Sequence, residues 1–315
     1  MKWIKKGHIY KPTGELEWAK EYAQIPRPLL LKDRIRIFYA TRYYDQNDYP
    51  ISQTSFIDVD KYDLTKILYI HEDLSLELGD NGSFSQHGIH PTMLLNRKKE
   101  LLFYYQGWKR LKHFPYETAI GLALSNDNGL TFKKYGELPI FQKTDEDPYF
   151  VNGVFIMSYE NKFVMFYSGG INWIKDNGKL ESVYIIKSAT STDLITWTKS
   201  NLSIIDPISN NECQNTPTVL KIGNLYHMWF SYREATDFRG KERGYRIGYA
   251  CSHDLIKWTR DDSKAGIEIS EQESWDSQMV CYPYVFEIEG RILMLYCGNY
   301  FGKAGFGFAE LKINK

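Results

Sequence analysis

Apolar residues along the chain gather in short aromatic-rich runs rather than at helical spacing, and five of these runs share one shape. They are Ile35-Arg36-Ile37-Phe38-Tyr39-Ala40, Leu101-Leu102-Phe103-Tyr104-Tyr105, Val164-Met165-Phe166-Tyr167-Ser168, His227-Met228-Trp229-Phe230-Ser231 and Leu293-Met294-Leu295-Tyr296-Cys297. Aligning Tyr39, Tyr104, Tyr167, Phe230 and Tyr296 gives steps of 65, 63, 63 and 66 residues. Thirteen residues before each aromatic stand Pro26, Pro91, Val154, Pro217 and Pro283. Proline is tolerated where a strand begins or runs along an edge, so this column marks the first strand of each repeat. A turn such as Ile222-Gly223-Asn224 or Glu289-Gly290 then leads into the aromatic strand, which makes a hairpin.

A third column completes the unit. Ala123-Leu124-Ser125-Asn126-Asp127, Ala189-Thr190-Ser191-Thr192-Asp193 and Ala250-Cys251-Ser252-His253-Asp254 lead into Phe132, Trp197 and Trp258. The aspartates suit the turn between a third and a fourth strand, and are expected to be structural. Each repeat therefore predicts a four-stranded antiparallel blade. The whole predicts an all-β, five-bladed β-propeller in which residues 1–315 form one domain. The last repeat stops at the third strand Phe306-Gly307-Phe308-Ala309-Glu310-Leu311. Lys2-Trp3-Ile4-Lys5 matches Lys257-Trp258-Thr259-Arg260, so the N-terminal strand is expected to close the last blade.

Charge and cysteines narrow the function. Basic and acidic residues balance at 39 each, without the basic surplus or stripe of a nucleic-acid binder. No apolar run is long enough to span a membrane, and Met1–His8 is not followed by a secretory core. Cys213, Cys251, Cys281 and Cys297 show no paired spacing, which predicts no metal site, buried thiols and a cytoplasmic location. No cofactor is expected. The oligomeric state is left open.

Chemistry is expected where the first strands open at one end of the channel. Residues immediately before the proline column, Ile25, His90, Gly153, Thr216 and Tyr282, should face that mouth. The segments before them carry Asp147, Glu212 and Asp276, and three blades offering carboxylates suit a glycosidase. A retaining enzyme would hold two of them about 5–5.5 Å apart and an inverting one roughly 6.5–9.5 Å, with one pKa raised. The plainer reading is that Asp147 starts an Asp-Pro turn and Asp276 caps a loop. Candidate substrate contacts are His90, Trp108, Gln214, Asn215, Arg233, Arg246, Gln278 and Asn299. The arginines would clamp a carboxylate or phosphate unless they pair between blades. Glycines from Gly298 to Gly307 precede no predicted helix and so do not read as a nucleotide loop.

The Ser-x-Asp-Leu-x-x-Trp units at Ser191–Trp197 and Ser252–Trp258, with the run Pro217–Ser231, resemble the five-bladed propeller glycoside hydrolases of families 32, 43, 68 and 130. The resemblance implies acidic residues around the channel mouth, with Glu212 as the acid. The first-blade aspartate of those enzymes is replaced by Gln24-Ile25-Pro26-Arg27. The stretch from Trp275 to Gly307 is similar to propellers of bacterial surface-polysaccharide clusters and to the N-terminal region of plant glucosamine inositolphosphorylceramide transferases. That likeness implies a carbohydrate or sugar-phosphate substrate. Three functions follow as expectations: a glycosidase-like enzyme, a glycosyltransferase or phosphorylase-like enzyme of polysaccharide synthesis, or a non-catalytic glycan-binding propeller. Ser125–Phe132 also fits the sialidase aspartate-box pattern, although sialidases have six blades.

Overall fold

A computed structural model describes residues 1–312. Its regular elements are almost all strands. β1 (Lys2–Tyr10) opens the chain. The first repeat forms β2 (Glu21–Leu30), β3 (Arg34–Tyr44), β4 (Pro50–Asp60) and β5 (Ile67–Ile70). The second forms β6 (Gly88–Arg97), β7 (Glu100–Lys109), β8 (Glu117–Ser125) and β9 (Lys133–Lys134). The third forms β10 (Val151–Tyr159), β11 (Lys162–Asp176), β12 (Lys179–Ser191) and β13 (Thr198–Ser203). The fourth forms β14 (Glu212–Ile222), β15 (Leu225–Glu234), β16 (Arg246–Ser252) and β17 (Thr259–Arg260). The fifth has β18 (Cys281–Ile288), β19 (Arg291–Cys297) and β20 (Phe306–Lys312).

Within each repeat every strand pairs antiparallel with the next. The sheets of the first two repeats are joined by a single parallel bridge, Ser52 with Gly88. The first strands contact one another in the cyclic order β2, β6, β10, β14, β18 and back to β2. This is a propeller with its innermost strands around one axis. The column aromatics Tyr39, Tyr104, Tyr167, Phe230 and Tyr296 are all buried between sheets. No helix among the described residues is long and apolar enough to cross a membrane.

The N-terminal strand behaves as its sequence predicts. β1 pairs with β20, Trp3 opposite Leu311 and Gly7 opposite Phe308. The Trp3 ring packs edge-on against Trp229 at 5.4 Å, and its backbone N–H donates to the Gly266 carbonyl. This strand therefore joins the fifth sheet and also grips the fourth.

The Ser-x-Asp turns are structural. Ser125, Ser191 and Ser252 hydroxyls bond Asp127, Asp193 and Asp254, whose carboxylates accept backbone N–H groups of the following turn. Those bonds satisfy a turn that would otherwise be open to water.

Candidate functional site

Each first strand is broken at the same place. The pairing register slips between Gln24 and Arg27, Pro91 and Met93, Asn152 and Phe155, Asn215 and Thr218, and Cys281 and Tyr284. In four of the five the residue before the column position is left-handed: Ile25 (φ 54°), Gly153 (φ 59°), Thr216 (φ 47°) and Tyr282 (φ 56°). For β-branched Ile25 and Thr216 this conformation costs about 1–3 kcal/mol, a strain that tends to concentrate at functional sites. The glycine has a second reason. A Cβ on Gly153 would lie 2.4 Å from Asn215 Oδ1 and 3.0 Å from the Thr216 nitrogen.

The bulges turn Ile25, His90, Gly153, Thr216 and Tyr282 into one cavity of about 270 Å³. All five repeats contribute to its wall, so the cavity closes the mouth of the channel. Trp108, Tyr116, Tyr184, Tyr245, Phe238 and Phe301 give it aromatic surface, and Gln24, Gln106, Asn152 and Asn215 give it amides.

Two guanidiniums define its electrostatics. Arg233 is buried, its Cζ 3.5 Å from the Phe238 ring centroid and 5.5 and 5.3 Å from those of Tyr184 and Tyr245. It donates through one nitrogen to the Glu234 carbonyl at 2.8 Å, and its buried Nε has no partner. Arg42 stacks over Tyr22 at 4.3 Å and reaches Gln24 Oε1 at 3.4 Å, and its Nε is likewise buried without a partner. Neither arginine has a carboxylate partner among the described residues. Taking a cation out of water without a counter-charge is strongly unfavourable, so the buried Arg233, with the half-buried Arg42 beside the same cavity, is poised for an anion.

The rest of the lining is neutral or already paired. Glu181 is the only carboxylate in the wall among the described residues, and Arg239 binds it at 2.7 Å. Burial, with the Arg42 charge second, lowers the His90 pKa to about 3, so its imidazole is neutral across ordinary pH. His90 Nε2 and Asn152 Oδ1 are buried and unpartnered. Trp108 packs on Tyr116 at 4.0 Å, the Tyr116 hydroxyl meets Ser182 Oγ at 2.7 Å, and the Tyr184 and Tyr245 hydroxyls bond each other. No three His, Cys, Asp or Glu side chains converge as metal ligands among the described residues.

The three expected carboxylates are not in this cavity, which corrects the expected convergence of Asp147, Glu212 and Asp276. Each is buried in the segment entering its repeat and bonded to a cation on the fourth strand of the same sheet. Asp147 meets Lys187 and Lys199, both at 2.8 Å, and accepts from the Tyr167 hydroxyl at 2.9 Å. Glu212 is held by Arg260 at 2.7 Å. Asp276 is held by Lys5 at 2.7 Å, Ser270 Oγ at 2.7 Å and the Tyr296 hydroxyl at 2.9 Å. Burial pushes the Asp147 and Asp276 carboxyls up, but the ammoniums and hydrogen bonds outweigh it, and both pKa values lie below normal. A general acid needs the opposite shift.

The expected substrate contacts divide. His90, Trp108, Asn215 and Arg233 line the cavity. Gln214, Arg246, Gln278 and Asn299 do not, and the side chains of Gln214, Arg246 and Asn299 are spent on the backbone. Gln214 accepts from the Ile186 N–H, and Arg246 donates to the carbonyls of Lys241, Gly244, Tyr245 and Gln278. Asn299 Oδ1 accepts the Gln278 and Met279 N–H groups, so Gln278 takes part through its backbone. Arg42, Asn152, Glu181 and Arg239 are additional wall residues. Arg42 follows the aromatic run near the end of β3, as Arg233 does in β15, so that position was its signal. Glu181 and Arg239 come from a hairpin and a loop with no repeat partner.

No family model matches the sequence. The chain is 32% identical over 314 residues to "Uncharacterized protein MT1551" and to "Uncharacterized protein Rv1502", from two strains of Mycobacterium tuberculosis. Each match covers 99% of this chain and 100% of the relative. Among solved structures it is similar to a "Glycoside hydrolase" (TM-score 0.76, 17% identity, 99% of this chain and 92% of that one). It is similar also to a thermostable family-43 glycoside hydrolase (TM-score 0.66, 15% identity, 96% and 93%). A third is a member of the GH130 family of mannoside phosphorylases, described as containing glycoside hydrolases that target β-1,2 mannosidic linkages (TM-score 0.71, 13% identity, 99% and 94%). At these identities the shared property is the fold, that of the propeller glycoside hydrolases.

Proposed function

The chain belongs to the family of the mycobacterial proteins MT1551 and Rv1502, and we propose that it is a carbohydrate-active enzyme whose channel-mouth cavity takes a sugar bearing an anionic group. The five repeats act in this reading as the five blades of one domain. The observation that carries it is the pair of guanidiniums, Arg42 and Arg233, facing the cavity without carboxylate partners among the described residues. Aromatic walls supply the flat apolar surface on which a sugar ring lies, and Asn152, Asn215 and His90 supply donors and acceptors for its hydroxyls.

Hydrolysis by a carboxylate pair fits this wall poorly, since Glu181 stands alone there and is bound by Arg239. Glycosyl transfer to or from phosphate needs only one protein acid, because the phosphate oxygen takes the place of the second carboxylate as nucleophile or leaving group. The wall offers one carboxylate, Glu181, which Arg239 holds, and the cations to bind the phosphate. The fold shared with proteins described as glycoside hydrolases and mannoside phosphorylases supports a sugar substrate.

A thermal-shift and calorimetric screen of sugars, sugar 1-phosphates and nucleotide sugars tests the reading. Phosphorylated sugars are expected to raise the melting temperature where their neutral parents do not. At a hundredfold excess over Kd the shift corresponds to about 2.7 kcal/mol. Arg233→Ala should abolish it. Stabilisation by neutral oligosaccharides alone, unchanged in Arg233→Ala, would sink the proposal.

A further inference from the structure

Beside the channel-mouth cavity lies a second, more open one of about 520 Å³, walled by Leu111–Tyr116, Lys179–Glu181 and Arg239. The two share Tyr116, Glu181 and Arg239, so they are neighbouring compartments of one cleft. The outer wall carries Lys112, His113, Lys179 and Arg239 against the single carboxylate Glu181. Lys112, His113 and Lys179 are exposed and have no carboxylate partner among the described residues.

The scaffold of this annex is fixed. β11 and β12 are the two longest strands and run out past the sheet to an Asn177-Gly178 turn, both residues left-handed as a two-residue hairpin requires. Trp173 on that extension stacks on Phe114 at 5.7 Å and meets Tyr116 edge-on at 5.1 Å. Tyr149 closes on Phe114 at 5.4 Å. Lys179 and the Leu111–Tyr116 segment are thus held across from each other by packed rings.

We propose that this annex is a second anion subsite, and that the natural substrate is a sugar joined through a diphosphate. This rests on the reading of the inner cavity as an anion-binding sugar site. The sugar and nearer phosphate would occupy the inner compartment under Arg42 and Arg233. The farther phosphate would lie between Lys112 and Lys179, beside the Arg239–Glu181 pair, and whatever the diphosphate carries would leave over the Phe114–Trp173 rings. A nucleoside and a lipid are two sources of the same diphosphate chemistry.

The test titrates the intact protein with inorganic phosphate, inorganic pyrophosphate, uridine diphosphate and geranyl diphosphate. Wild type, Arg233→Ala and the double variant Lys112→Ala/Lys179→Ala are compared by calorimetry. The wild type is expected to bind all three diphosphate compounds about tenfold or more tightly than phosphate, with the preference fading as salt rises. The double variant should lose about tenfold for the diphosphates and keep its phosphate affinity, since both lysines are exposed and outside the inner wall. Arg233→Ala should weaken every probe. Uridine diphosphate ahead of pyrophosphate identifies a nucleotide source, and geranyl diphosphate ahead identifies a lipid one. Equal affinities for phosphate and pyrophosphate, or an unchanged preference in the double variant, overturn the annex and leave the inner site standing. Failure of phosphate to bind at all removes the inner site and the annex with it.

Discussion

Asp147→Asn separates the structural from the catalytic reading of the buried carboxylates. Asp147 is fully shielded from solvent, and its partners Lys187 and Lys199 have side chains only 6% and 10% exposed, each 2.8 Å from a different carboxylate oxygen. The amide keeps the shape and removes the charge, leaving two buried ammoniums facing one neutral group. Removing one member of a buried ion pair costs about 3–5 kcal/mol, mainly through the charge left behind. For a chain of this size the melting temperature should fall by roughly 6–10 °C at about 2 °C per kcal/mol. Calorimetry reads the fall, and Lys199→Met in the same chain should recover part of it. The pH dependence has a definite sign. The folded pKa of Asp147 lies below its ordinary 3.8, so the carboxylate contributes full stability above that value and loses it as pH falls further. The gap between wild type and variant should therefore be constant from pH 5 to 8, by this linkage, and close in more acid solution. A variant that melts within 1 °C of wild type, by the same scale, while losing activity would refute the structural assignment.

Two further outcomes follow from the closure and the cavity. Deleting residues 1–8 removes most of the β1 pairing to β20, the Trp3–Trp229 contact and the Lys5–Asp276 pair, so differential scanning calorimetry should show a large fall in melting temperature; an unchanged value would show that the strand is dispensable. His90, with a pKa lowered to about 3 by burial and Arg42, should show no imidazole titration by NMR between pH 8 and 5; because its ordinary value is 6.5, the unfolded chain takes up that proton first and stability should decline as pH drops below 6.5. A His90 resonance titrating near 6.5 would contradict the burial argument.

The repeat was legible because propeller geometry writes itself locally. Each sheet needs a buried aromatic at one depth and a bulge in its first strand at another, so Tyr39 to Tyr296 and Pro26 to Pro283 recur at a spacing set by four strands and their turns. The same regularity exposed the position facing the cavity. The prolines sit inside the first strands, at the bulge rather than at the strand start that the sequence suggested, and the residues just before that column, Ile25, His90, Gly153, Thr216 and Tyr282, line the cavity whatever their chemistry. What local pattern does not carry is the identity of a charge's partner. Asp147, Glu212 and Asp276 lie upstream of the mouth in sequence, yet Lys199, Arg260 and Lys5 on outer strands capture them, the last from the opposite end of the chain. An acid close to the axis in sequence is thus drawn to the fourth strand of its own sheet by Lys199, Arg260 or Lys5, each two residues past the column tryptophan, a recurrence that the sequence displays without displaying what it pairs with. The converse holds for Arg233 and Arg42, whose value lies in the carboxylates they lack. A sequence shows 39 acids able to neutralise them, and only the fold shows that none comes to either guanidinium among the described residues. On the proposed reading, chemistry in this cavity is set by which charges the sheets leave unpaired at the mouth, after the fourth strands have taken Asp147, Glu212 and Asp276.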